Sequence, residues 1–124
     1  MYMNYWGHHL LLNARGCVSK TIRNKLTIDA FTRDLVKKID MVPYGEPQIV
    51  MFGTGNKKGY TLVQLIETSN ITGHFVEETD DMYLDVFSCK NFEPETVEEV
   101  VKWYFAPKNI DTKFVSRDAS IYMQ

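Results

Sequence analysis

The sequence has few of the features that mark specialised classes of protein. Its two cysteines, Cys17 and Cys89, lie far apart and form no CxxC pattern, so neither a disulfide framework nor a cysteine metal site is predicted. Lys and Arg number 14 against 16 Asp and Glu, so the basic excess typical of nucleic-acid binding is missing. No apolar run is long enough to span a bilayer, and the start, MYMNYWGHHLLL, does not resemble a signal peptide. We therefore expect a cytoplasmic protein that binds neither membranes nor nucleic acid.

What the sequence does contain is the composition of an ordinary globular protein. Its 124 residues are 44% hydrophobic and 24% charged. A chain of this length can bury a core without metals or disulfides. No low-complexity segment or composition break divides it, so residues 1–124 are predicted to form one domain.

The spacing of apolar residues predicts the element order β-α-β-β-β-β-α-β. One helix is indicated by Ile28, Phe31, Leu35 and Ile39, spaced three and four apart, with Thr27 as its N-cap. The second helix falls in residues 91–107, with Pro94 in its first turn. The strands are predicted at 4–14, 48–55, 60–69, 71–78, 82–90 and 109–116, and GCVSKTIRNK (16–25) is predicted as a polar turn.

This order favours an α+β fold, a two-layer α/β sandwich in which an antiparallel sheet carries two helices on one face. The other face of the sheet stays bare unless something covers it. We therefore expect a homodimer that uses the free face or an edge of the sheet.

Three residue types suited to nucleophilic chemistry fall near the predicted strand ends. Ser69, His74 and Cys89 would gather at one end of the sheet if their strands run antiparallel, and together they could support attack by a hydroxyl. Each also has a structural interpretation: a turn serine, a strand histidine and an inert buried thiol. The adjacent His8 and His9 point to opposite faces of a strand, so no metal site is predicted.

Several segments resemble the small bacterial-type S-adenosylmethionine decarboxylases. GHHLLL near the start is similar to the family's glycine-histidine strand start, and YLDVFSC to its Asp-hydrophobic-Phe-Thr-Cys strand. ETSNITGH lies between them, where the family has a segment that carries its processing serine and histidine. The correspondence runs without a gap from Gly59 to Cys89. It implies the family's two-layer sandwich and dimer.

The resemblance also implies a mechanism. The family is made as a proenzyme that cuts its own chain and leaves a pyruvoyl group, which serves as the cofactor for decarboxylation. Here the cut would fall between Thr68 and Ser69. The resemblance gives His74 and Thr61 roles in processing, and it makes Cys89 the proton donor in decarboxylation.

Substrate contacts are implied in the same way. Glu78 matches the glutamate that holds the ribose hydroxyls of S-adenosylmethionine. Ile71 and Phe75 lie in the same matching segment and are predicted as further substrate contacts.

Departures from the family pattern keep two alternatives open. The family's IHTWPE is GHFVEE here, with Val76 and Glu77 in place of tryptophan and proline, so another amino acid such as ornithine or arginine is an alternative substrate. The residues flanking Ser69 are Thr68 and Asn70, where the family has Glu and His. These changes also fit a non-catalytic paralogue that stays uncut and binds a partner or a nucleoside.

Overall fold

The computed structural model describes residues 5–121 and contains a six-stranded antiparallel sheet with helices on one face. The strands are β1 (Gly7–Arg15), β2 (Gln48–Phe52), β3 (Gly59–Ile66), β4 (Ser69–Val76), β5 (Asp81–Ser88) and β6 (Asn109–Arg117). The helices are α1 (Ser19–Ile22), α2 (Lys25–Lys38) and α3 (Pro94–Phe105), and a 3₁₀ turn spans Gly55–Lys57. The strand order is β2-β3-β4-β5-β1-β6. The predicted two-layer α+β sandwich is confirmed, and the start of the predicted first strand, residue 4, lies outside the described residues.

Helices α2 and α3 cover one face of the sheet because each carries an apolar stripe. Ile28, Phe31, Leu35 and Ile39 are all buried, as their spacing predicted. Val97, Val100, Val101 and Phe105 form the matching stripe of α3. The Phe105 ring lies 4.8 Å from that of Phe31 and 5.5 Å from that of Phe75, between centroids. Aromatic contacts of this kind join the helices to the middle of the sheet.

Two local predictions need correction. Helix α2 begins at Lys25, because the side-chain oxygen of Asn24 accepts hydrogen bonds from the backbone N–H groups of Leu26 and Thr27. Asn24 is therefore the N-cap, and Thr27 lies inside the helix. The segment predicted as a polar turn contains α1, whose Ile22 is fully buried. A single apolar residue in a four-residue helix leaves no periodic signal in the sequence.

The sheet has one buried face and one open face. In β3, Leu62, Gln64 and Ile66 point into the core, as the alternation predicted. The opposite face carries no helix among the described residues and exposes several large apolar side chains, namely Leu11, Val50, Phe52, Leu65 and Tyr83. None of the helices between residues 5 and 121 is long and apolar enough to cross a membrane.

Candidate active site

Strands β3 and β4 form a tight hairpin whose loop contains the predicted cleavage bond. Ile66 pairs with Ser69 across the hairpin, which leaves only Glu67 and Thr68 in the loop. Ser69 has a φ of +151°, a conformation that residues with a Cβ rarely adopt and that costs on the order of 1–3 kcal/mol. The Thr68–Ser69 bond therefore lies at a strained position of the backbone.

The carbonyl group of this bond already accepts a hydrogen bond. Ser69 pairs with Ser88 at the end of β5, so the next residue, Cys89, lies beside the loop. The backbone N–H of Cys89 donates to the carbonyl oxygen of Thr68 at 3.0 Å. A donor at this distance stabilises the negative charge that develops on a carbonyl oxygen under nucleophilic attack.

The start of β1 allows this close approach. A Cβ on Gly7 would lie 2.7 Å from the carbonyl oxygen of Ser88 and 3.1 Å from the Cα of Cys89. Only glycine leaves room here for β1 to pack against the end of β5. Gly7 thus helps to fix the backbone that carries the Cys89 donor.

The nucleophile predicted at this position is not engaged elsewhere. Ser69 is half-buried, and its hydroxyl makes no hydrogen bond within the part of the chain that the structure describes. The hydroxyl is thus available for reaction. No base is bonded to it in this chain between residues 5 and 121.

The thiol beside this bond differs from the other thiol of the chain. Cys89 is free and exposed, whereas Cys17 is free and buried. Burial, with the carboxylates of Asp81 and Asp80 nearby, raises the pKa of Cys17 to about 12. Cys17 therefore stays protonated in the core, and Cys89 is the thiol that can meet a substrate.

A second polar pair lies on the open face at the other end of β4. Thr61 and His74 are paired across β3 and β4, and Thr61 Oγ1 is 3.2 Å from Nδ1 of His74. The contact orients the imidazole while the residue stays exposed. Such an oriented ring can act as a general acid or base.

The structure does not bring His74 to Ser69 within one chain. His74 pairs with Tyr83, five positions along β4 from the pairing of Ser69 with Ser88. At a rise of about 3.3 Å per residue, the two Cα atoms are about 16 Å apart. The prediction that Ser69, His74 and Cys89 gather at one end of the sheet is wrong for His74. It holds for Ser69 and Cys89, whose strands end side by side.

Glu78 lies with His74 rather than with Ser69. It is exposed in the turn between β4 and β5, two residues beyond the end of β4. The predicted site residues thus form two groups. One contains Thr68, Ser69 and Cys89, and the other contains Thr61, His74 and Glu78.

The predicted substrate contacts at Ile71 and Phe75 need correction. Both side chains are buried on the face of β4 that packs against the helices, with exposed fractions of 0% and 1%. Phe75 contacts Phe105 in the core. Strand alternation puts these two residues on the side opposite His74, so they hold the sheet against the helices.

Aromatic side chains near the Ser69 end were missed by the sequence reasoning. Phe87 pairs with His9, and the ring of Trp6 lies 5.7 Å from that of Phe87. The guanidinium carbon of Arg117 lies 4.7 Å from the centre of the Phe87 ring. Such a surface can stack against a planar or cationic group. Trp6 and Arg117 come from opposite ends of the chain, and only the sheet order brings them together.

Buried polar groups beneath the cleavage loop were also missed. Ser88 is fully buried, and its hydroxyl lies 2.8 Å from Thr68 Oγ1. The sequence does contain a sign of this contact: Ser88 is a hydroxyl residue at a core-facing position of β5, on the same face as Leu84 and Val86. A polar side chain in such a position needs a hydrogen-bond partner, and Thr68 is that partner.

Comparisons with known proteins identify the family and the fold. A profile of the family described as S-adenosylmethionine decarboxylase matches residues 8–118. S-adenosylmethionine decarboxylase proenzymes of two Clostridium botulinum strains are each 25% identical over 116 residues, covering 93% of this chain and 97% of theirs. The crystal structure of the adenosylmethionine decarboxylase from Aquifex aeolicus VF5 has a TM-score of 0.78 and 22% identity, covering 94% of this chain and 93% of that one. The structural match supports the fold, and the profile spans most of the sequence. The chain belongs to the S-adenosylmethionine decarboxylase family.

Proposed function

We propose that this chain is a proenzyme that cuts itself between Thr68 and Ser69 and then decarboxylates S-adenosylmethionine. The family consists of pyruvoyl-dependent decarboxylases. The resemblance of ETSNITGH to the family's processing segment makes Ser69 the expected processing serine. The product would serve as an aminopropyl donor for spermidine synthesis in the cytoplasm. The observation that carries the proposal is the 3.0 Å hydrogen bond from the Cys89 N–H to the Thr68 carbonyl oxygen, beside the strained Ser69.

The proposed cleavage begins with attack by Ser69 Oγ on the carbonyl carbon of Thr68, which closes a five-membered ring. The negative charge on the Thr68 oxygen is stabilised by the Cys89 N–H. The C–N bond then breaks and the nitrogen takes a proton, which leaves an ester between Thr68 and Ser69 Oγ. The strain at Ser69 favours this step because breaking the peptide bond releases it.

Elimination completes the cut. A base removes the Cα proton of residue 69, the Cβ–Oγ bond breaks, and residues 1–68 leave with a free carboxylate. The remaining enamine becomes an imine, and water replaces its nitrogen, which departs as ammonia. The downstream fragment then begins with a ketone derived from Ser69. The free hydroxyl of Ser69 and the polarised carbonyl of Thr68 fit the formation of this group.

Both steps need a proton-transfer group near Ser69, and we propose that a second copy of the chain supplies it. Thr61 and His74 lie on the open face, about 16 Å from Ser69 in the same chain. This face also exposes apolar side chains such as Leu65 and Tyr83, as interaction surfaces do. If two open faces pack with their β4 strands antiparallel, the Ser69 end of each chain lies against the His74 end of the other.

The decarboxylation uses side chains from the same two groups. The pyruvoyl group supplies the electron sink for loss of carbon dioxide. The exposed Cys89 thiol is the proposed proton donor to the product carbon. Glu78 is the proposed ligand of the ribose hydroxyls and, like His74, it would come from the other subunit.

Intact-protein mass spectrometry tests the cleavage. After incubation at neutral pH, wild-type protein should give residues 1–68 and a second fragment that begins with a blocked residue 69. Ser69→Ala should stay intact, because it lacks the nucleophile. Ser19→Ala, which changes an exposed hydroxyl near Asp80, is the matched control and should cleave like the wild type. A single intact mass for the wild type would contradict the proposal and favour a non-catalytic paralogue that binds a partner or a nucleoside.

A second candidate keeps the cleavage and changes the substrate. Val76 and Glu77 stand where the family has tryptophan and proline, which help to shape the nucleoside pocket. These replacements favour a smaller amine-bearing acid such as ornithine or arginine. Incubating the cleaved protein with each substrate separates the two candidates. Release of carbon dioxide from S-adenosylmethionine and not from ornithine or arginine would exclude the alternative.

A further inference from the structure

The segment that follows α2 braces the cleavage loop. We call residues 40–44 the brace. The backbone N–H of Glu67 donates to the carbonyl oxygen of Val42 at 2.9 Å, and the N–H of Tyr44 donates to that of Leu65 at 2.8 Å. The loop is thus held by backbone hydrogen bonds to a third segment, in addition to the pairing of β3 with β4.

Side chains extend this contact to the cleavage bond. Met41, in the brace, is buried, and its Sδ lies 3.3 Å from Thr68 Oγ1. Lys90, which follows β5, donates from Nζ to the carbonyl oxygen of Asp40 at 2.6 Å. The brace therefore contacts Thr68 directly and is also tied to the segment that contains Cys89.

A chain of hydroxyl groups runs through Thr68. The backbone N–H of Lys90 donates to Ser88 Oγ at 2.9 Å, and Ser88 Oγ is 2.8 Å from Thr68 Oγ1. Each hydroxyl carries one hydrogen. Ser88 donates to Thr68, and Thr68 donates to Met41 Sδ, which also lies 3.7 Å from Ser88 Oγ. Every donor in this chain has an acceptor, so the Thr68 side chain has one preferred orientation.

We propose that Ser88 and Met41 are positioning residues that hold the Thr68 carbonyl on the Cys89 N–H for self-cleavage. The proposal rests on the proposed cleavage at Ser69. Fixing the Thr68 side chain limits rotation of its backbone, so its carbonyl oxygen stays at the donor. Attack needs the reacting groups in one arrangement, and a misplacement of about 1 Å can cost about 100-fold in rate.

The burial of Ser88 supports a specific role. Its side chain is fully buried, on the face of β5 that carries buried apolar residues. Burying a hydroxyl group costs desolvation free energy, which an apolar residue at the same position would not lose. Replacing it by alanine would leave the Lys90 N–H without its acceptor and Thr68 without its donor. The Thr68 side chain would then be free to turn away from its present position.

The test measures cleavage of newly synthesised chains over time. Ser88→Ala should cleave about 10- to 100-fold more slowly than wild type, and Thr68→Val should be slowed similarly. Ser88→Thr keeps the hydroxyl and should restore most of the rate. Thr32→Ala is the matched control, because it also removes a fully buried hydroxyl, one that donates to the Ile28 carbonyl within α2.

Hydroxylamine identifies which step of the cleavage is slowed in Ser88→Ala. It cleaves esters and leaves amides intact, so it releases residues 1–68 only from chains that have completed the acyl shift. If the shift itself is slowed in Ser88→Ala, hydroxylamine will not restore the rate of fragment release. Full restoration would overturn the proposal, because it would put the defect in the elimination step.

The other outcomes separate this inference from the proposed function. Wild-type rates in Ser88→Ala and Thr68→Val, with Ser69→Ala uncut, would overturn the positioning role and leave the self-cleavage intact. Equal slowing in Thr32→Ala would also overturn it, since loss of any buried hydroxyl would then suffice. A wild-type chain that never cleaves would overturn both proposals.

Discussion

The two ends of strand β4 carry different parts of the predicted site. At the Ser69 end, the backbone is strained, the carbonyl of Thr68 is hydrogen-bonded and the loop is held from below. At the other end, His74 is exposed on the open face and contacts Thr61. Within residues 5–121 of one chain, no base is bonded to the Ser69 hydroxyl, and the imidazole of His74 lies about 16 Å away. This separation is the reason for the proposed site built from two chains.

Mixing two inactive variants should restore a cleavage that neither variant shows alone. His74→Ala and Ser69→Ala should each stay uncut when made alone. When the two are co-expressed, the chain with intact Ser69 should cleave, because its partner supplies His74. Mass spectrometry identifies the cut chain, because its downstream fragment carries the His74→Ala substitution.

The identity of the chain that is cut provides the control for this experiment. Only the His74→Ala chain should be cut, and dilution that separates the subunits before processing should prevent it. Cleavage of His74→Ala in the absence of a partner would contradict the two-chain site. It would mean that another group acts as the base.

Neighbouring residues at the His74 end should differ strongly in their effect on stability. Phe75→Ala leaves a cavity in the core beside Phe105 and should lower the free energy of unfolding by about 3–5 kcal/mol. His74→Ala, on the face that is open in a single chain, should change it by about 0.5 kcal/mol or less at protein concentrations where the chains are monomers. Urea unfolding of uncut Ser69→Ala protein measures both changes on one background. A similar decrease in the free energy of unfolding for the two variants would show that the His74 side chain is packed against other residues and is not exposed.

The two thiols should differ in reactivity, because Cys89 is exposed near the Ser69 end of β4 and Cys17 is buried near the His74 end. Cys17 lies beneath the His74 end, where its backbone N–H donates to the carbonyl oxygen of Asp80. Its pKa, raised to about 12 by burial and the nearby carboxylates, leaves almost no thiolate at pH 7.5. Because alkylation needs an accessible thiolate, iodoacetamide should label exposed Cys89 about 100-fold faster, or more, than buried Cys17. Labelling of Cys17 should need a pH well above 8 or partial unfolding, and equal rates at pH 7.5 would contradict its burial.

The fold was predictable from the sequence because it depends on local periodicity. Alternation in β3 and β5 and the three- and four-residue spacing in α2 each specify which side chains face the core. The Asn24 cap and the short helix α1 were missed, because a cap is defined by one side-chain contact and a four-residue helix has no repeat.

The candidate site was only partly predictable, because it depends on register. The pairing of Ser69 with Ser88 explains why Cys89 reaches the cleavage bond, and the pairing of His74 with Tyr83 explains why His74 does not. Motif order along the chain carries no information on which ends of the strands meet. The roles of Met41 and Ser88 depend on contacts between distant segments, which no single segment of the sequence reveals.

A charge placed on the open face should weaken the association of two chains modestly. Leu65 is exposed there and pairs with Asn70, next to the Ser69 end. Leu65→Asp places a charge in the proposed interface, where desolvation should weaken the dimer by about tenfold. Leu26→Asp, at an exposed leucine of helix α2 on the other side of the sheet, is the matched control for one added negative charge. Sedimentation over a range of concentrations measures the dissociation constant, and cleavage of the same samples should fall as the dimer dissociates. If Leu65→Asp leaves both the dissociation constant and the cleavage unchanged, the copies do not associate through the open face, and His74 would have no route to Ser69.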